Sequence, residues 1–124
     1  SIEGHVPDAL EYMRRCHIGV VASLGSEAVS RAAVEWMALG RPLVASAVGC
    51  LPEYLEDGVS GILVPPDDPE ALAAALLRLG DDPLLRERMG RAARMRWEER
   101  FRLEDFIAAT ERCYANALHP VPSR

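Results

Sequence analysis

The chain has 124 residues, enough for one modest domain with a core of its own. It is 49% hydrophobic and 27% charged, a globular balance that excludes collagen-like and disordered classes. A formal net charge of -5 argues against general affinity for nucleic acid, so no nucleic-acid partner is expected.

In chain order, residues 8–15 predict a short helix with Ala9, Leu10 and Met13 on one side. A brief apolar run, residues 18–22, predicts a strand. Residues 30–39 predict a second helix, stopped by Gly40 and then Pro42. Two more apolar runs, residues 42–45 and 61–64, predict further strands. All three runs are free of charge and do not alternate, as expected of parallel strands buried on both faces. After the third, residues 71–79 predict a helix ended by Gly80, with Pro69 in its first turn and Asp67 or Asp68 as its cap. Residues 83–99 and 103–118 predict two closing helices, and residues 119–124 a disordered tail. The expected fold class is therefore α/β: half of a doubly wound parallel, Rossmann-like sheet of about three strands, plus C-terminal helices, over residues 1–118.

Cys16, Cys50 and Cys113 are widely spaced, with no C-x-x-C pair and no disulfide framework, which suits a reduced, cytoplasmic protein. No apolar run approaches the roughly 20 residues of a membrane helix. From Arg86 to Arg102 there are seven Arg against three Glu. The plainer expectation is a solvated helix whose Arg and Glu pair locally while Met89, Ala92, Ala93 and Trp97 face the core. The alternative is a basic face for an anionic membrane or acidic acceptor.

The chemically informative stretch is Ser23 to Ser46. A buried strand ends near Ala22, a polar loop follows, and a helix begins near Ala28–Ser30. In open α/β sheets ligands bind beyond the carboxyl ends of the strands, where a helix N-terminus offers free N–H groups and a positive dipole end to phosphate. Glu27 and Glu35, eight residues apart, lie at most roughly 12 Å apart along a helix axis. Carboxylates accept hydrogen bonds from sugar hydroxyls but repel phosphate, so the pair suits the two hydroxylated ends of a nucleotide-diphosphate sugar. On spacing alone, two surface glutamates of an amphipathic helix are the plainer reading.

The surrounding residues add specificity. Glu27 and Glu35 are followed by Trp36-Met37-Ala38-Leu39-Gly40-Arg41-Pro42-Leu43-Val44-Ala45. Upstream stands Gly4-His5-Val6-Pro7-Asp8, and downstream Gly49-Cys50-Leu51-Pro52-Glu53 and Asp57-Gly58-Val59-Ser60-Gly61-Ile62-Leu63-Val64. In order and spacing these resemble the donor-binding signature of the retaining GT-B glycosyltransferases of family four (group 1). The chain looks like a C-terminal part of such an enzyme. It departs from the pattern at Ala28-Val29-Ser30, where Gly-Phe-Gly is frequent, and at Cys50, where a second glycine stands.

The resemblance implies transfer of a sugar from a nucleotide-diphosphate sugar to an acceptor hydroxyl with retention. It implies that Glu27 contacts the transferred sugar as a catalytic residue and that Glu35 holds the ribose. The backbone of Ala28, Val29 and Ser30 would lie beside the donor diphosphate and sugar. No cofactor and no metal are implied. The acceptor would be bound by an N-terminal domain that this chain lacks, so the piece alone is expected to be inactive. Peripheral contact with the inner face of a membrane in the parent enzyme, and self-association of the isolated piece, are further expectations. A GT-B nucleotide-sugar epimerase, a non-catalytic nucleotide-sugar-binding module and an interaction module remain as alternatives. Glu53, Arg31, Cys50, His5 and His17 carry no catalytic assignment.

Overall fold

The structure, a computed structural model, describes residues 4–25 and 27–118; Ser26 and the expected tail at 119–124 lie outside the described residues. Its elements run α1 (Ala9–Arg14), β1 (Gly19–Val21), α2 (Arg31–Ala38), β2 (Leu43–Ser46), α3 (Leu51–Tyr54), β3 (Gly61–Val64), α4 (Pro69–Asp81), α5 (Pro83–Arg100) and α6 (Leu103–Leu118). The three strands form one parallel sheet in the order β1-β2-β3, with Gly19 opposite Leu43 and Leu43 opposite Gly61. Pro42 has no N–H to give, so regular pairing of β2 starts at Leu43, while the Pro42 carbonyl accepts from Gly19 N at 2.9 Å.

The pleat of β2 divides the core in two. Leu43 and Ala45 face α2 and α3 together with Ala33, Met37, Leu51 and Ala93. Val44 faces the other side with Val64, Ala75, Leu79, Leu85 and Met89. Helix α5 supplies both layers, Leu85 and Met89 to one and Ala93 to the other. It comes close enough at Gly90 that a Cβ there would sit 2.3 Å from the Gly40 carbonyl oxygen. Only β2 is buried throughout; β1 has Val20 41% exposed because it lies at the sheet edge.

Local chemistry explains most helix ends. Asp8, Asp68 and Asp82 cap α1, α4 and α5 by accepting from Glu11, Ala71 and Leu85 N–H. Gly80 does not stop α4, which runs on to Asp81. The Gly49–Glu53 motif leads into the one-turn helix α3, for which no helix was predicted.

The basic face of α5 is largely structural. Local pairs Arg91–Glu87 and Arg94–Glu98 form as expected. The arginines also reach across the fold to carbonyls that helix ends leave unpaired. Arg86 donates to Leu79 and Gly80 oxygens at 2.6 Å, closing α4. Arg96 donates to Tyr54 and Glu53 oxygens at 2.6 and 3.0 Å, and Arg100 to Glu53 at 2.7 Å, closing α3. Arg94 reaches the Ala38 carbonyl at the end of α2. Arg41 serves the Arg14 carbonyl of α1 in the same way, at 2.8 Å. Among the described residues no helix is long and apolar enough to cross a membrane.

Candidate functional site

The carboxyl ends of the parallel strands β1, β2 and β3 lead into residues 22–25, 47–50 and 65–68, at one end of the sheet. A cavity of about 190 Å³ opens there, lined among others by Ala22, Leu24, Ser46, Val64 and Asp68. A larger hollow of about 1010 Å³ is lined by Val34, Trp97, Phe101 and Phe106, and Glu27 and Glu35 line neither of the two.

Helix α2 follows the loop that leaves the carboxyl end of β1. Ser30, its N-cap residue, is buried and makes no side-chain capping bond, and no acidic residue stands in the first turn. The contrast with the aspartate caps of α1, α4 and α5 is direct: among the described residues, the first N–H groups of α2 have no side-chain acceptor. Such an end suits an anion. Ala28 and Val29 approach it exposed, Val29 at 74%, so their side chains project into solvent.

The two glutamates bracket this helix tip, but only one is helical. Glu27 lies in the loop three residues before Ser30, and Glu35 on the second turn of α2. Both are part-buried. Glu27 is held at two points. Its carboxylate accepts from Ser23 Oγ at 2.5 Å. Its carbonyl accepts from Cys50 N at 2.8 Å. The second contact needs the preceding residue to come very close: Gly49 has φ +54°, and a Cβ there would meet Glu27 O at 2.2 Å and Glu27 N at 2.6 Å. Cys50 itself has φ -77° and ψ -11°, ordinary right-handed backbone, so a side chain fits where the resembling pattern has its second glycine.

Glu35 accepts from Arg31 Nε at 2.8 Å, one helical turn away. That hydrogen bond, with the attraction between the charges, raises the pKa of the guanidinium further. Arg31 is thus turned to Glu35 rather than left alone at the helix start. The Tyr54 phenol is raised by burial first and then by the neighbouring Cys50 thiol, which places that thiol beside α3.

Ser23 and Gly49 are the neighbours of Glu27 that residue-type reasoning overlooked. A signal for Ser23 was present: a short hydroxyl four residues ahead of the first glutamate. Gly49 stood within a quoted motif, but its approach to a residue 22 positions away has no local signature. His5 and His17 are exposed and show no polar side-chain partner among the described residues.

Comparison with known proteins adds an independent line. The family described as "Glycosyl transferases group 1" matches residues 1–82. The D-inositol 3-phosphate glycosyltransferase of Streptomyces griseus is 42% identical over 108 residues, 87% of this chain and 22% of that protein. The chain thus spans less than a quarter of that relative's length. Sucrose-phosphate synthase from Thermosynechococcus elongatus superposes with a TM-score of 0.82 at 33% identity, over 89% of this chain and 27% of that one. HepE from Anabaena, solved in complexes with UDP and with UDP-glucose, superposes with a TM-score of 0.76 at 25% identity, over 90% of this chain and 29% of that one.

Proposed function

Because this chain belongs to the group 1 glycosyl transferases, we propose that it forms the donor-binding part of a retaining, family-four enzyme that moves a sugar from a nucleotide-diphosphate sugar to an acceptor hydroxyl. The observation that carries this reading is the uncapped N-terminus of α2 with one carboxylate before it and one within it. The α2 amides and the main chain of Ala28, Val29 and Ser30 receive the diphosphate. Glu27 accepts hydroxyls of the transferred sugar, and Glu35 accepts those of the ribose. As the bond to the sugar breaks, negative charge grows on the β-phosphate; the helix N–H groups and dipole stabilise it without reorganising. No metal or cofactor is part of this proposal. The complexes of HepE make UDP-linked sugars the first donors to try.

The acceptor site and further cationic help for the leaving group belong to the portion of the transferase outside these 124 residues, so the chain alone transfers nothing. The enzyme works on the cytoplasmic side, with peripheral membrane contact made by the parent protein. The test uses the full-length transferase with UDP-, GDP- and ADP-glucose, following release of the nucleoside diphosphate. Glu27→Ala should lower turnover of the preferred donor about 10- to 100-fold, the scale of one lost hydrogen bond to a charged group. Glu35→Ala should raise the donor KM with a smaller change in kcat. Wild-type kinetics in both variants would refute the assignment.

A further inference from the structure

Ser23 lies two residues beyond β1 and donates its hydroxyl proton to Glu27 Oε1 at 2.5 Å, in a part-buried setting. A hydrogen bond to an ionised oxygen is stronger than one between neutral groups. Glu27 sits in a loop, and ordering a free glutamate side chain costs rotamer entropy. The main chain of Glu27 is already held by the Gly49–Cys50 turn. With Ser23 on Oε1 the carboxylate is held as well, before any ligand arrives. Glu35 provides the contrast. Its partner Arg31 also stands four residues ahead, but that side chain is 90% exposed, and an exposed ion pair contributes little.

We propose that Ser23 is a positioning residue for the donor sugar: it occupies Glu27 Oε1 and leaves Oε2 to receive a hydroxyl of the transferred unit. The inference rests on the reading that Glu27 meets that sugar. Ser23 touches no substrate and acts only through Glu27. Its effect is therefore confined to ligands that carry a sugar, and the nucleoside diphosphate alone binds without it.

In the full-length transferase, Ser23→Ala, Ser23→Thr, Glu27→Ala and the Ser23→Ala/Glu27→Ala double variant are compared. Two quantities are measured: turnover of whichever of UDP-, GDP- and ADP-glucose the wild type uses fastest, and affinity for the matching nucleoside diphosphate. Ser23→Ala should lower turnover about tenfold and leave the nucleoside diphosphate Kd unchanged. Ser23→Thr, which keeps the hydroxyl, should restore turnover. In the Glu27→Ala background, Ser23→Ala should cause no further loss. An equal loss in both backgrounds, or a fall in nucleoside diphosphate affinity in step with turnover, overturns the inference by showing damage to the loop at large. Wild-type turnover in Ser23→Ala beside an impaired Glu27→Ala sinks the inference alone. Wild-type turnover in Glu27→Ala sinks the donor-site reading beneath it, and the inference falls with it.

Discussion

Gly49 and Cys50 are neighbours in one turn, yet they should tolerate opposite substitutions. Gly49 combines a left-handed φ of +54° with main-chain atoms of Glu27 where a Cβ would be. Gly49→Ala is expected to cost at least about 2 kcal/mol in urea denaturation, from the backbone conformation and the forced shift together. It should also depress donor turnover, because the atoms displaced belong to Glu27. Cys50 occupies ordinary helical backbone and contributes its amide rather than its side chain to that contact. Cys50→Gly should cost only about 0.5–1 kcal/mol, the entropic penalty of a freer chain. Equal losses in the two variants would show that the turn geometry is not what matters. At this scale the residue types announced the glutamates, but not what holds them. Ser23 and Glu27 are close enough in sequence to suggest a pair; Gly49 and Glu27 meet only because β1 and β2 lie side by side.

Helices in this fold are ended by different devices. Aspartates start α1, α4 and α5, whereas arginines from elsewhere close α2, α3 and α4. Gly80 illustrates an element whose local signal points the wrong way. A glycine after an alanine- and leucine-rich run reads as a stop, but α4 continues through it, and a Cβ there would meet nothing within 4 Å. Gly80→Ala should therefore stabilise the chain by about 0.5–1 kcal/mol, raising Tm by a few degrees in a thermal scan. A lower Tm would mean that Gly80 serves a purpose the surrounding space does not reveal. Arg96 gives the converse case. Arg96→Ala removes donors from the Tyr54 and Glu53 carbonyls and should cost about 1–3 kcal/mol in urea. A loss near zero would mean that water replaces the guanidinium. The short α3 escaped a pattern-based reading because a single turn has too few residues to show a period.

Viewed whole, the molecule has covered and uncovered sides. The double core around β2 is complete, but α6 has no buried residue, and Leu103, Phe106 and Tyr114 on it are each about two-thirds exposed. Removing residues 103–118 should shift the Tm of this chain by less than about 2 °C, because little apolar area is uncovered. A larger drop would show that α6 braces the core. The outer edge of β1 pairs with no other strand among the described residues, and Val20 there is exposed. Open edges and apolar helix faces promote association, so light scattering on the isolated chain should report a mass that rises with concentration. A monomer mass throughout would refute this.

The order of the three strands and the five longer helices was legible in the sequence alone, as were the spacing of the two glutamates and the family-like motifs. Apolar runs, capping residues and spacing act over a few positions and can be read directly. Only the tertiary structure decided that Glu27 is gripped by a turn from the next strand. It alone showed that the arginines of α5 close other helices and that α6 stays uncovered. The physical reason is the same in each case: these contacts join residues tens of positions apart, and their partners exist only once the sheet has brought them together.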